Sequence, residues 1–228
     1  MIRTLPWVVA GALLAAGAAG AQEAAYSIKQ TKAEPPRELN AAVSKQLSGQ
    51  AIQLLDAKGG LVMELWFAKA VPAKATAEQV KNGLTYREIP ETTLVGAVRL
   101  PRQYTDYRKQ KIKPGTYTLR LGYQPQDGDH MGTAAYSEFL LACPAAEDKK
   151  PDTMPPMALQ ELSKKATGGG HPGVFLLFPG GKDAGDAPKL VDKGEGHRVL
   201  FLKEAINAGG TKGTIGVGMT LIGNSPSA

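Results

Sequence analysis

The residues best suited to chemistry lie in one short run, Asp127-Gly128-Asp129-His130-Met131-Gly132. Asp127 and Asp129, two residues apart, can offer oxygens to Ca²⁺, although the full twelve-residue calcium loop is missing and Gly and Asp are also the ordinary residues of a turn. His130, Met131, the distant His171 and the single cysteine, Cys143, supply the imidazole, thioether and thiolate ligands that copper and zinc select, at a spacing that matches no blue-copper pattern. Asp129, His130 and His171 are the candidate metal set, and a divalent metal (Ca, Cu or Zn) is the cofactor such a set would take. His197 is placed apart from them. Trp66 with Glu64 offers a second surface, an aromatic beside a charge on one face of a strand. The alternative for Trp66 is a ring covered by the N-terminal segment, since large exposed aromatics are unusual without a purpose. The candidate ligand-binding residues are thus Asp127, Asp129, His130, His171, Trp66 and Glu64. No catalytic residue is nominated, because the chain lacks a Gly-x-Ser-x-Gly elbow, a His-Glu-x-x-His helix, a phosphate loop and a dinucleotide fingerprint.

The acidic run needs two strands to hold it. Pro114-Gly115 is a turn signal. After it Tyr117, Leu119, Leu121 and Tyr123 alternate with Thr116, Thr118, Arg120 and Gln124, the period of a half-buried strand with its polar face outward. The return strand spans 136–143 and carries Phe139, Leu141 and Cys143 on one face, so the cysteine reads most simply as a small core side chain. Strands are also expected at 51–56 and 61–68, joined by the turn Ala57-Lys58-Gly59-Gly60, and at 93–100, with Leu94, Val98 and Leu100 as the apolar face. Residues 104–113 carry Arg108, Lys109, Lys111 and Lys113. They read as a lysine-protected edge strand, with an anion-binding ridge as the alternative. Continuous apolar runs at 174–178 and 199–202 predict central strands, joined by a long loop over 179–196 in an antiparallel return. The last strand, 214–222, points Ile215, Val217, Met219 and Leu221 inward and leaves Gly216 and Gly218 as bare backbone for a close neighbour. Short helices are expected at 38–47 and 157–166.

The first 21 residues have the three parts of a secretory signal: Arg3, an apolar stretch and Ala19-Gly20-Ala21 before Gln22. Their removal would lower the formal charge of +6 by Arg3 alone, to +5. That mild excess suits loose attraction to anionic envelope polymers, and no clustered aromatic-basic face points to nucleic acid. One cysteine makes no internal disulfide. The expected organisation is a signal peptide at 1–21, an arm with a short helix at 22–48 and one β domain at 49–228. Many short strands with little helix predict an all-β, antiparallel β-sandwich, in immunoglobulin-like or jelly-roll order, with one or two short helices.

One combination is more specific. Glu64-Leu65-Trp66-Phe67, Asp106-Tyr107-Arg108, Pro114-Gly115-Thr116-Tyr117-Thr118-Leu119-Arg120, Gln124-Pro125-Gln126-Asp127-Gly128-Asp129-His130-Met131-Gly132 and His171-Pro172 occur in that order. The chain from about residue 35 onward thereby resembles a family of uncharacterised secreted bacterial proteins. The resemblance implies export and a β-rich fold, and carries no activity. The expectation is a secreted or periplasmic binding or envelope-associated module whose partner is an envelope polymer or protein. The alternative is a metal-binding protein, enzymatic or not, centred on the acidic run and His171.

Overall fold

Residues 26–125 and 132–226 are described by a computed structural model. The segment read as an arm supplies the first strand, β1 (Ser27–Lys32), which pairs along its whole length with β2 (Gln50–Leu55). Between them α1 (Ala41–Ser44) is a single turn, capped where the Asn40 side chain accepts from the Ala42 N–H. β2 turns into β3 (Leu61–Phe67) at the expected hairpin, where the Asp56 carboxylate accepts from the Lys58 and Gly60 amides. Two-residue β4 (Val71–Pro72), α2 (Ala77–Asn82) and β5 (Leu94–Leu100) follow. β6 (Tyr104–Thr105) and β7 (Lys111–Ile112) pair only with each other. Residues 104–113 are therefore a small separate hairpin rather than an edge strand of the main sheet. β8 (Gly115–Tyr123), β9 (Glu138–Pro144), α3 (Pro156–Thr167) and β10 (Gly173–Pro179) come next. The stretch expected to be a long loop holds β11 (Lys189–Asp192), and β12 (Arg198–Ala208) and β13 (Thr211–Ile222) complete the chain.

The fold is all-β with three short helices, built on one curled sheet in the order β1-β2-β3-β5-β8-β9-β10-β13-β12-β11. Every neighbour on that path is antiparallel; β4 adds a short parallel pairing to β12. β10 belongs to both halves of the sheet, pairing first with β9 and then with β13. The sheet bends there, so its two halves face each other over a core that includes Met63, Leu65, Val98, Leu119, Phe175, Leu200 and Met219. The strand order is a meander whose last three strands run back in reverse, neither of the two orders expected. Because β13 lies between β10 and β12, those two strands run parallel. The expected antiparallel return is thus corrected: the starts of β10 and β12 lie at the same end of the molecule.

Two details show how the faces are sorted. A bulge between Leu94 and Gly96 shifts the register of β5 on β8. Leu94 consequently packs on the opposite face from Val98 and Leu100, against Trp66, and not with them as the alternation predicts. On β13 the bare glycines are closely covered. A methyl at Gly218 would meet the Phe201 ring at 2.5 Å and the Phe178 carbonyl oxygen at 2.9 Å, and one at Gly216 would meet Ala184 at 2.9 Å.

Arg120 overturns the reading of its strand face as solvent-facing. It is wholly buried, because residues 144–155 fold over that face. All five guanidinium hydrogens find acceptors. Nε and Nη2 donate to the two Asp148 oxygens at 2.6 and 2.9 Å, Nη1 to the carbonyls of Thr92 and Asp152 at 2.8 and 3.0 Å, and Nη2 also to that of Lys150. Thr118 donates its hydroxyl to the same carboxylate.

Candidate functional site

The site begins with Asp106. Oδ1 of its carboxylate accepts from the Arg108 and Gln110 amides at 2.9 and 2.8 Å, which winds residues 106–110 into a tight turn with Lys109 at a φ of 62°. Oδ2 accepts from the Val174 amide at 3.0 Å, Gln110 Nε2 donates to the Pro172 carbonyl at 2.8 Å, and the Tyr107 amide donates to the Val174 carbonyl. The turn between β6 and β7 is therefore pinned to the start of β10. The C-terminal segment adds two clamps, as Asn224 Nδ2 donates to the Asp106 carbonyl and the Ser225 amide to that of Tyr107. Burial pushes the Asp106 carboxyl up to about 6, against the pull of its amide donors.

This pinning opens a cleft of about 260 Å³. Phe139 and Leu141 of β9 and Val174 of β10 form its apolar back wall, with Tyr107 tilted against Phe139 at a ring separation of 6.3 Å. Gln124, Pro125, Thr133 and Ala134 form a second wall, closed at its base where Gln124 Nε2 donates to the Thr133 hydroxyl at 2.8 Å. Gln160 and Lys164 of α3, with Gly170, His171 and Pro172, form the third. Tyr123 and Arg108 complete the lining. Burial raises the phenols of Tyr107 and Tyr123 above their ordinary range, so both stay neutral. Tyr123 donates its hydroxyl to the Tyr86 carbonyl at 2.8 Å. Arg108 is half-buried, and its guanidinium finds no hydrogen-bond or ion-pair partner among the described residues.

The residues nominated from sequence are distributed as follows. His171 lines the cleft, beside residues that flank the acidic run. Asp127, Asp129 and His130 lie outside the described residues, so the expectation that His130 and His171 share a site falls there too. Among the described residues no three His, Cys, Asp or Glu side chains come together as a metal set. Glu64 does not line the cleft. It is buried on the outer face of β3, where Arg99 of β5 donates to it from Nε at 2.7 Å and also from Nη2, and Gln53 of β2 donates to it at 2.7 Å. Its carboxylate is held by its own cross-strand neighbours. Trp66 is only 3% exposed. The N-terminal segment covers it, as Leu39, Val43 and Leu47 pack on the ring and Nε1 donates to the Ala33 carbonyl at 2.9 Å. The covered alternative is the arrangement found, and no aromatic platform is presented at that face. Cys143 is a free, buried thiol among Phe139, Leu141 and Leu159, its pKa raised by burial. His197 is buried beneath Tyr107, the two rings 5.8 Å apart, so it sits at the same end as His171 with Tyr107 in common.

Sequence reasoning missed Tyr107, Tyr123, Phe139, Gln160 and Lys164 as lining residues, and set Arg108 aside as edge protection. A signal was present. Asp106-Tyr107-Arg108, Gln124-Pro125 and His171-Pro172 were already singled out as stretches, and all three meet around this one cleft. Comparison with protein-family models, with curated proteins and with solved structures finds no match to this chain.

Proposed function

We propose that this chain is an exported binding protein that holds a small ligand in the cleft between the β6–β7 turn, β9 and α3. The observation that carries this reading is the cleft's combination of aromatic and aliphatic walls with a guanidinium that has no hydrogen-bond or ion-pair partner among the described residues. Binding is the reading preferred because the walls are mostly apolar and the polar groups among them, Arg108, Lys164, His171, Gln124, Gln160, Thr133 and the tyrosine phenols, include no acidic side chain among the described residues to pair with the histidine as an acid–base couple. Export rests on the signal-like first 21 residues and on the resemblance to secreted bacterial β-rich proteins; mass spectrometry of exported protein should find a chain starting at or near Gln22, and an intact N-terminus would oppose it.

The volume sets the ligand's size. A cavity of about 150 Å³ holds one benzene ring, so about 260 Å³ admits one ring with a substituent or two fused rings. Ligand-observed NMR against a panel of one- and two-ring aromatics is the test. Several members should bind, and Ala134→Phe, which places a ring in the cleft from its wall, should abolish their signals while the protein stays folded by circular dichroism. A silent panel, or equal binding by Ala134→Phe, would overturn the reading.

A further inference from the structure

Resting on the cleft as the binding site, we infer that its ligand is a small organic anion with a flat apolar body, whose oxyanion head is taken by Arg108.

Three arginines among the described residues are withdrawn from solvent: Arg108, Arg120 and Arg198. Arg120 ends on Asp148, and Arg198 on Asp192 at 2.9 Å. Among the described residues Arg108 lines a cleft and has no acidic partner. A guanidinium is permanently charged and presents five donors in a flat fork shaped for two oxygens of a carboxylate, sulfonate or phosphate. Holding it partly desolvated without such oxygens is costly, and the cost is recovered when a ligand supplies them.

The backbone under Arg108 is rigid. Its amide donates to Asp106 Oδ1, and that carboxylate is tied in turn to β10 through Val174. The fork is therefore presented from a fixed base, which lowers the ordering cost of binding. No carboxylate is found among the described lining residues, and a second cation, Lys164, stands on the α3 side with its ion-pair partner Glu161 outside the lining. The rest of the wall is flat and apolar: Phe139, Tyr107, Tyr123, Pro125 and Pro172. Rings of this kind favour an offset or edge-on aromatic guest. The head group and the body are thus specified separately, one by charge and the other by shape.

The test is isothermal titration of the full chain with naphthoate, naphthalenesulfonate, neutral naphthol and inorganic phosphate. Naphthoate or naphthalenesulfonate should bind at least tenfold more tightly than naphthol and than phosphate, and the better of the two identifies the head group. Arg108→Ala should lose that preference with the melting temperature unchanged, and Arg108→Lys should recover only part of it. Lys111→Ala, on the exposed side of the same hairpin, should bind as the parent does. If naphthol binds as tightly as the acids, or if Arg108→Ala keeps the preference, the anion inference is overturned while the cleft reading stands. If phosphate matches the aromatic acids, the flat apolar body is overturned. If none of the naphthalene compounds binds, the cleft reading falls with it.

Discussion

Arg120 and Glu204 are two buried ionisable groups that the chain treats in opposite ways. Arg120 has every hydrogen satisfied and holds residues 144–155 over β8. Removing it would strand the Asp148 carboxylate in the interior, so Arg120→Ala should cost about 3–5 kcal/mol in urea unfolding, whereas a loss under about 1 kcal/mol, the range of an exposed pair, would mean the network is dispensable. Alternation marked Arg120 correctly as off the main core, yet a polar face covered by a loop and one covered by water have the same period, so its burial was not legible. Glu204 is 7% exposed and has no hydrogen-bond or ion-pair partner among the described residues. It lines a recess between β12, the β1–β2 pair and the segment holding Asp186 and Pro188. The charged neighbours there are already engaged: Lys69 donates to the Lys45 carbonyl and Lys203 to Asp186, both at 2.8 Å. Burial pushes the Glu204 carboxyl up to about 8 from an ordinary 4.5. Between those values the folded protein keeps a proton that the unfolded chain has released, so the stabilisation is complete below about 4.5 and is lost as pH rises toward 8. Asp106, raised to about 6, acts in the same direction at lower pH, so Glu204 should contribute to the fall in stability from 6 to 8. Stability should fall there by at most about 1.4 kcal/mol per pH unit, and Glu204→Gln should flatten the slope; an unchanged slope would show the carboxyl is not the titrating group.

The elements themselves were read well where one strand face is apolar and poorly where something interrupts that pattern. The β2–β3 hairpin, the inward faces of β3 and β13, and α3 follow directly from period and turn residues. β12 runs six residues past its apolar segment, and the first inward position of that extension is Glu204, which hides the alternation. β1 carries one apolar residue, Ile28, and is held by main-chain pairing to β2, so its sequence gives no periodic signal. β11 is only four residues long inside a Gly-, Asp- and Lys-rich stretch. The β6–β7 hairpin matters most for the site. Its charge-rich sequence resembles edge protection, while its actual conformation is dictated by one buried carboxylate, Asp106, whose three amide partners include one 68 residues away. Long-range hydrogen bonds of this kind leave no local trace, which is why Arg108 could not be assigned to a cleft from its neighbours in sequence.

At the scale of the whole molecule, the sheet's path decides which loops meet. β10 changes partner midway, from β9 to β13, and so bends the sheet and brings the start of β10, the β6–β7 turn and the segments flanking 126–131 to one end. β13 between β10 and β12 puts His171 and His197 at that same end, His197 against the Tyr107 ring and His171 in the cleft that Tyr107 lines. The all-β class was legible because strand periodicity is local; the strand order was not, because it depends on pairing between distant segments. Three separate sequence stretches converge on one cleft, and the binding surface proposed here is therefore the aromatic recess beside Arg108 and not the covered face of Trp66. The most direct measurement is a protein-observed NMR titration with naphthoate, following backbone amides across the chain. The largest shifts should fall on Arg108, Ala134, Phe139, Leu141 and Val174, which line the cleft, with residues around Trp66 unmoved. Shifts centred on any other surface, or none at saturating naphthoate, would contradict the account.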